Sequence, residues 1–384
     1  MRKFWTKFDL PKYVAGFLTS VFLNTGFAQT TPAPSEQEPL ARVEVAAKAD
    51  ADERPYERFV KAMDFFDAES PKLAPQSKLR FRLVTKHRTS RADELKLTVT
   101  GSTVRMPVEL MPDNFFTIVR NALALNEDAA VRSNRKDGTF DWSVDVRTPG
   151  LPVNTRRLGD LRLQCRIELL AARLGQHIFT PLYYVKTAAG VDPCSFRNIS
   201  VLLIGDEPIF AVTLVQGARR QVLPAVSLYG GSLPSWAKAV AGDWLGREHL
   251  FEVPLWDASW SDDTLVELEP MRTAPASGTE SEPPPASEPL QSVTRESLAR
   301  WLIEGRTSGK VVEGVFGSPE VVQFSSGDAS WVFRTETGSG KIISLVPVLG
   351  KLLKPERKLK ELHLIIGPDG IVKQYQLEEM VLRL

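Results

Sequence analysis

The chain has 384 residues, of which 43% are hydrophobic and 25% are charged, an ordinary balance for a soluble globular protein. Its 48 basic and 47 acidic side chains give a formal net charge of +1. We do not expect a nucleic-acid partner, because nucleic-acid binders carry a clustered excess of basic residues. The length allows two or three domains, each large enough to bury a hydrophobic core.

The N-terminal segment has the features of a secretory signal peptide. Basic residues precede an apolar run over 13–23, and Gly26 and Ala28 place small residues at −3 and −1 of a cut before Gln29. The apolar run covers about 11 residues, whereas a membrane-spanning helix needs ~20. We predict a signal peptide over 1–28 and export to the periplasm; the alternative is an uncleaved anchor. With no cysteine near the cut, we expect no lipid anchor.

Residues 29–54 follow the predicted cut and are rich in Pro, Ala, Glu and Thr, without a sustained apolar period. A segment of this composition buries too little apolar surface to offset the entropy that ordering removes. The sequence therefore predicts a flexible tether.

Residues 55–271 are predicted to form a β-rich, sandwich-like central domain that begins with a helix. Apolar residues at helical spacing predict this helix over 55–66. Short strand-like runs separated by turn signals then recur at roughly ten-residue spacing, which is typical of a β-sandwich. These runs are 79–84, 95–99, 104–110, 115–119, 130–132 and 140–146, followed later by 179–186, 199–204 and 209–215.

The segment 158–174 allows two interpretations. Its apolar residues fall near one helical face and Gly175 follows as a stop, which favours a helix. A strand over 161–167 is the competing interpretation, because apolar and polar residues alternate there. We predict the helix.

Cys165 and Cys194 are the only cysteines in the chain. In an oxidising compartment such a pair usually forms a disulfide. The cross-link would stabilise the fold by roughly 3–4 kcal/mol in the chain-entropy model. The alternative is a pair of buried free thiols. Two cysteines without neighbouring histidines make a poor metal site, so we predict no metal and no cofactor.

A proline-rich stretch over 272–293, interleaved with Ser and Glu, predicts a semi-extended linker and the firmest domain boundary in the chain. The remaining residues, 294–384, read as a small domain of two helices and an antiparallel sheet. Thr294 is predicted to cap the first helix and Thr307 the second, which ends at Gly317. Strands are predicted at 331–334, 362–366 and 371–377. The predicted fold class is α+β.

Four short motifs follow one another in this C-terminal unit. They are Glu-Gly-Arg-Thr at 304–307, Phe-Gly-Ser-Pro at 316–319, Ala-Ser-Trp-Val-Phe at 329–333, and the run at 364–372 that contains Gly-Pro-Asp-Gly. In this order and spacing they resemble the SmpA/OmlA (BamE-like) family, small outer-membrane components of the β-barrel assembly machinery. Unlike typical members, this chain has a long central region, an insert at 338–359 and no cysteine for a lipid anchor.

The resemblance implies a role in outer-membrane assembly or envelope integrity, through contacts with envelope proteins and phospholipids. We expect these contacts to come from aromatic residues of the sheet, Trp331 and Phe333, and from a charged loop over 351–360. Each basic residue near an anionic headgroup is worth ~1 kcal/mol. The basic residues in question are Lys351, Lys354, Arg357, Lys358 and Lys360. The alternative is a solvated loop, because Glu356 and Glu361 dilute the charge.

Tryptophans, arginines and histidines elsewhere in the chain are further candidates for a binding or catalytic site. The tryptophans at 236, 244, 256 and 260 suit either a sugar-stacking platform or a core, and we favour the core. The arginines at 156, 157, 162 and 166 are expected to pair with Asp160 and Glu168 rather than bind a ligand. Histidines occur at 87, 177, 249 and 363, outside any H-E-x-x-H, G-x-S-x-G or P-loop motif.

These observations together predict a non-enzymatic periplasmic protein associated with the outer membrane, which binds envelope proteins or anionic phospholipid. Two alternatives remain open. One is a carbohydrate- or peptidoglycan-binding protein that uses the tryptophans. The other is an exported hydrolase whose Ser, His and Asp residues assemble only in space.

Overall fold

The computed structural model describes residues 51–85, 95–172, 174, 192–197, 201–233, 246–273, 282–337 and 356–383. The strands are β1 Ala51–Pro55, β2 Lys78–Thr85, β3 Leu97–Thr100, β4 Arg105–Val108, β5 Phe115–Phe116, β6 Ala130–Lys136, β7 Phe140–Arg147, β8 Thr155–Arg157, β9 Leu203–Ile204, β10 Ile209–Gln216, β11 Arg219–Val222, β12 Leu250–Phe251, β13 Leu265–Pro270, β14 Glu320–Gln323, β15 Ala329–Thr337, β16 Glu356–Ile366 and β17 Val372–Arg383. The helices are α1 Tyr56–Leu73, α2 Ala122–Asn126, α3 Leu158–Arg166, α4 Arg295–Trp301 and α5 Gly309–Phe316.

The first part of the fold packs α1 against two antiparallel sheets, with strand orders β1-β6-β3-β4 and β5-β2-β7. The predicted helix and the predicted strands of this part are confirmed, although α1 continues past residue 66 to Leu73. Phe59 of α1 reaches into the first core, where its ring lies 4.9 Å from Phe81 and 6.0 Å from Trp142. The α+β class with a β-rich character is confirmed.

Residues 51–54, which the sequence analysis assigned to the tether, lie in β1. Asp52 explains why this segment forms a strand, because its side chain is fully buried. Its carboxylate accepts hydrogen bonds from the backbone N–H of Phe140, at 2.9 Å, and from the indole N–H of Trp142, at 2.7 Å. Arg54 adds a third donor at 3.3 Å. A buried carboxylate with three donors anchors the strand, and the apolar content of a segment does not reveal such an anchor.

Residues 158–172 are helical, so the prediction of a helix is confirmed over this range and the strand alternative is wrong. Helix α3 continues as a π-helical turn over Ile167–Ala172. The helix lies between two cores: Leu163 and Ile167 pack in the first core. Leu161 and Cys165 pack in the second. Apolar side chains on two opposite faces of one helix reproduce the alternation of a strand, which is why the sequence allowed both interpretations.

The second core lies beneath the sheet β11-β10-β13-β8 and the pair β12-β9. The predicted disulfide is confirmed: Cys165 of α3 is bonded to Cys194, with the two Cα atoms 6.2 Å apart. Both cysteines are buried. The cross-link therefore ties the helix between the two cores to a segment well beyond it in the chain.

The C-terminal sheet has the order β14-β15-β16-β17 and is covered on both faces. Helices α4 and α5 cover one face and form a third core with it. On the other face Phe324 and Ile365 pack into the second core. The division into domains at 272–293 stays a prediction. Leu290 and Val293, at the end of that linker, are buried in the third core.

Two predicted helix signals have different outcomes. Thr294 caps α4 as predicted, in a reciprocal pair of hydrogen bonds with Ser297. Thr307 does not cap α5: its hydroxyl accepts from the N–H of Ile303 at 2.8 Å and donates to the carbonyl of Trp301 at 3.0 Å. The helix begins later, at Gly309, because this hydroxyl instead closes the turn after α4. The predicted stop is confirmed, since Gly317 adopts φ 84°.

Several predictions fall outside the described residues: the signal peptide, the tether up to residue 50, the strand at 179–186 and the stop at Gly175. Within the described part, no helix combines the length and the apolar character that crossing a membrane requires.

Candidate functional site

The aromatic residues predicted to make contacts lie against the module's own helices. Phe333 is 5% exposed and packs in the third core. Trp331 is partly buried, and its ring lies 3.1 Å from the point that a Cβ at position 309 would occupy. Gly309 therefore allows α5 to approach the strand closely. Both aromatic side chains contribute to packing in this structure.

The predicted charged loop is only partly described. Lys351 and Lys354 lie outside the described residues. Arg357, Lys358 and Lys360 lie in β16, so this half of the segment is a strand and the prediction of a loop is wrong there. The strand forms because it pairs with β15 on one side and β17 on the other. The three described basic residues of the predicted set are thus distributed along a central strand.

Lys360 is engaged within the protein. Its Nζ lies 2.7 Å from the carboxylate of Glu379 and donates to the carbonyl of Gln291 at 3.2 Å. The hydrogen bond and the charge of Lys360 lower the pKa of Glu379. This lysine already has an acidic partner on the neighbouring strand.

The tryptophans do not assemble into a described platform. Trp236 and Trp244 lie outside the described residues. Trp260 is 1% exposed, which confirms the core interpretation for this residue, and the guanidinium of Arg219 lies 3.4 Å from its ring centroid. Trp256 is only partly buried, beneath the side chain of Arg197 at 5.0 Å.

The arginines of α3 and β8 form ion pairs within the protein, partly as predicted. Asp160 forms the predicted pair with Arg157, at 3.9 Å, and Glu168 accepts a hydrogen bond from the backbone N–H of Val144 at 3.0 Å. Further pairs join Arg156 to Asp145, Arg157 to Asp263, Arg162 to Asp262, and Arg166 to both Asp192 and Glu69.

A cleft lies where β2 and β7 meet the turn between β9 and β10. Two cavities, of about 430 and 310 Å³, flank this turn and share Gly205 as a wall. We call this region the arginine cleft, defined by four arginines and two aspartates. These residues are Arg80, Arg82, Arg147, Arg156, Asp145 and Asp206.

The alternation of the strands places these charges on one face of the sheet. Phe81 of β2 points into the first core, so Arg80 and Arg82 on either side of it point away from that core. On β7, Asp145 and Arg147 point the same way. The antiparallel register sets Arg80 directly opposite Asp145. Two ordinary strands therefore bring the charged side chains to a common surface.

Asp145 is the centre of one half of the network. Its side chain is buried, and Arg80 donates to it at 2.7 and 3.2 Å while Arg147 donates at 3.0 Å. Arg156 lies 3.5 Å away from the same carboxylate. Burial by itself raises the pKa of Asp145, but the charges of Arg156, Arg147 and Arg80 outweigh it and hold the pKa below its ordinary value.

Asp206 is the centre of the other half and comes from the turn before β10. Arg147 donates to both of its oxygens, at 2.6 and 3.1 Å, and Arg82 donates at 3.3 Å. Burial opposes ionisation here too, yet the two arginines keep the pKa of Asp206 lowered. Arg147 thus bridges both aspartates, and its own pKa is raised because their charges and hydrogen bonds outweigh its burial.

Phe115 of β5 supports the guanidinium groups from the side. The centres of these groups lie 4.1 Å from the ring for Arg80, 4.8 Å for Arg82 and 5.7 Å for Arg147. A guanidinium over an aromatic face is attracted by the ring quadrupole. The ring is 5% exposed, so it forms a fixed floor that limits the positions open to the three arginines.

The cleft has more positive than negative charge and contains unpaired donors. The six residues that define it carry a formal charge of +2; Lys78 at the larger cavity adds one positive charge, and Asp113 and Asp141 at the smaller cavity add two negative charges. The Nε–H groups of Arg147 and Arg156 are buried without an acceptor in the described part of the chain. Buried donors normally find a partner, so such groups call for an explanation.

This arrangement is suited to holding an anion. Carboxylates with lowered pKa values stay ionised at neutral pH, which makes them poor proton donors. In the described ranges, no group of three or more His, Cys, Asp or Glu residues is placed to hold a metal ion. Of the histidines, His249 lines the smaller cavity. His363 is buried far along the chain, against Phe210 and Ser330.

Sequence reasoning did not find the arginine cleft. The available signal was a pair of charged residues two apart in each of two predicted strands, at 80 and 82 and at 145 and 147. That signal indicates a charged strand face but not the partner strand. Asp206 is 59 positions from Arg147 and joins only through the tertiary fold.

Comparisons with known proteins find no counterpart: no protein-family model, no curated protein and no solved structure matches this chain.

Proposed function

We propose that this chain is a non-enzymatic binding protein of the bacterial cell envelope. It is exported to the periplasm and docks on outer-membrane or periplasmic proteins through its C-terminal module. The observation that carries the proposal is the arrangement of residues 294–383, in which two helices and a four-stranded antiparallel sheet enclose a core of their own. This is the arrangement that the resemblance to the BamE-like family implies.

The edges of the sheet are the surfaces through which the module docks, since its two faces are covered. The edge at β17 is largely occupied by the module itself. Val372 exchanges backbone hydrogen bonds with Gly305 and Thr307. Further along, Glu304 accepts from the N–H of Tyr375 at 3.2 Å, and Arg295 donates to the carbonyl of Leu377 at 3.1 Å.

The opposite edge, at β14, is the docking edge in this proposal. It is the end strand of the sheet, and the side chain of Val321 on it is 47% exposed. An end strand presents backbone donors and acceptors to which an extended segment of a partner adds. We assign the partner contact to such strand addition beside Val321.

The test uses the full chain, because Phe324 and Ile365 pack into the second core and a truncation would expose it. Val321→Lys places a charge on the edge strand and opposes strand addition. Val119→Lys is the matched control, since Val119 is also exposed, at 77%, and lies far from the sheet in sequence. Tagged proteins are cross-linked in cells, and membranes are then separated on a density gradient.

We expect the wild type and Val119→Lys to co-sediment with the outer membrane and to share one set of cross-linked envelope proteins. Val321→Lys should lose that set while it keeps its thermal melting temperature. Unchanged cross-links in Val321→Lys would contradict docking at β14. A protein recovered from the cytosol with its first 28 residues intact would contradict the envelope proposal as a whole.

A further inference from the structure

We propose that the arginine cleft is a binding site for a small organic carboxylate that carries an apolar substituent. The site lies on the first sheet and the turn before β10, away from the docking edge at β14. The inference therefore stands independently of the proposed function.

The positive charge is concentrated at the larger cavity. Lys78, Arg80, Arg147 and Arg156 line it against Asp206, and with Asp145 behind them the formal charge there is +2, in a protein whose total is only +1. The smaller cavity carries no such excess, because Asp113 and Asp141 line it beside Arg82. A cavity that concentrates charge of one sign attracts ligands of the opposite sign. One carboxylate reduces this excess without reversing it.

The geometry of the arginines also suits a carboxylate. Arg147 already binds the carboxylate of Asp206 through two parallel N–H donors. The two-pronged contact is the arrangement in which guanidinium and carboxylate fit best. Arg80 and Arg147 are partly exposed, at 29% and 26% of their side chains, and both line the larger cavity. Both side chains therefore keep accessible surface at the cavity, and Phe115 lies against their guanidinium groups.

Two arginines of the cleft have buried N–H donors without an acceptor in the ranges that the structure describes. Arg156 has 4% of its surface exposed and lines the larger cavity. Its Nε–H has no acceptor among the residues described, and neither does that of Arg147. Leaving a buried donor unpaired costs about 1–3 kcal/mol. These Nε–H groups lie beneath the lining of the cavity, so they show that both arginines have unused hydrogen-bonding capacity there, while the ligand contacts the accessible parts of the arginine side chains.

Apolar residues line the larger cavity together with the arginines, and they favour a ligand that carries an apolar part. The segment after β7 and a residue of β13 provide them, through Pro149, Leu151, Pro152, Val153 and Leu268. Val153 is 86% exposed and is therefore accessible to a ligand. The cavity volume of about 430 Å³ falls in the range of small-molecule sites. A carboxylate between the arginines would direct its substituent towards these apolar residues.

Asp206 competes with such a ligand for Arg147 and Arg82. Replacing Asp206 by Asn keeps the shape of the side chain, removes its charge and raises the formal charge of the cleft to +3. This variant should therefore bind a carboxylate more tightly, whereas a merely structural network would give no gain.

The experiment is isothermal titration calorimetry on the full chain at fixed ionic strength. The probes are hexanoate, benzoate and inorganic phosphate. We expect hexanoate or benzoate to bind, Arg147→Gln to weaken that binding about tenfold or more, and Asp206→Asn to strengthen it severalfold. Arg220→Gln is the matched control, because Arg220 is an exposed arginine paired with Glu267 outside the cleft. It should bind as the wild type does.

Circular dichroism checks that each variant is folded. If Arg147→Gln is unfolded, Arg80→Lys decides instead: it keeps the charge, loses the planar fork, and should also weaken binding. Absence of binding by both organic acids overturns the proposal, as does equal binding by the variants and the wild type. Tighter binding of phosphate than of either acid overturns the assignment to a carboxylate.

Discussion

Two buried polar sites of this protein have opposite protonation chemistry. In the arginine cleft, Asp145 is 5% exposed, and the arginines around it lower its pKa. Between the second core and the C-terminal sheet, His363 is also 5% exposed, but burial lowers its pKa to about 3. Equal burial thus holds one group ionised and the other neutral.

The partners explain the difference. Asp145 has three guanidinium groups within 3.5 Å. His363 stacks on Phe210 at 4.8 Å, and its Nε2 lies 2.9 Å from the hydroxyl of Ser330, so its ring contacts are neutral. Desolvation penalises the charged form of every group, and only opposite charges close at hand reverse it. The comparison teaches that burial alone does not determine the charge of a site.

We expect the largest loss of stability from a substitution that removes the buried carboxylate of the arginine cleft. Asp145→Ala leaves Arg156 buried without its carboxylate, and breaking one member of a buried pair costs about 3–5 kcal/mol. Urea unfolding at pH 7 measures this loss. The control is Glu267→Ala, which breaks an exposed pair with Arg220 and should cost less than about 1 kcal/mol. Similar losses for the two variants would contradict the contrast between buried and exposed pairs.

The next effect tests the neutral site through pH. The folded pKa of His363, about 3, lies below its ordinary value of 6.5. As the pH falls below 6.5 the unfolded chain takes up a proton that the folded chain does not, so unfolding becomes easier. Between pH 6.5 and pH 5 this lowers the free energy of unfolding by about 2 kcal/mol.

His363→Gln should remove that part of the pH dependence, since glutamine can still reach Ser330 and does not titrate. The neighbouring Glu361 has a raised pKa because it is buried, and it acts in the opposite direction, but it is common to both proteins. Urea unfolding between pH 7 and pH 5 provides the comparison; parallel curves for wild type and His363→Gln would refute the assignment.

The smallest expected effect sharpens the account of the cleft. Phe115→Leu keeps an apolar floor but removes the aromatic face under the three arginines. Cation–π contacts are worth about 0.5–1 kcal/mol at exposed sites and more when desolvated, so we expect a loss of about 1 kcal/mol in urea unfolding. Phe116→Leu, on the core side of the same strand, is the comparison variant. Its loss should not depend on Arg80→Lys, whereas that of Phe115→Leu should.

Local patterns of the sequence predicted much of the secondary structure. Apolar spacing predicted α1, alternation predicted β2 and β7, and a continuous apolar run predicted β10. Turn chemistry predicted the hairpin around residues 368–370. These features are readable because each depends on residues that are near one another in the chain. The disulfide was predictable for another reason, since a chain with only two cysteines has one possible pair.

The failures have a shared cause. The sequence predicted Thr307 as a helix cap, but its hydroxyl forms hydrogen bonds with Trp301 and Ile303 in the preceding turn. The sequence also predicted residues 356–360 as part of a loop, but these residues pair with two neighbouring strands and belong to β16. In each case a competing contact was decisive, and its strength depended on the rest of the fold.

The residues by themselves determined many of the helices and strands, such as α1, β2 and β7, and indicated which faces of those strands carry charge. Only the tertiary structure decided that Asp206 meets Arg147 and Arg82, and that His363 is enclosed by neutral partners. The physical reason is range: secondary structure follows from hydrogen bonds and side-chain spacing within a few residues. The charge state of a buried group depends on desolvation and on ion pairs with residues that are distant in the chain.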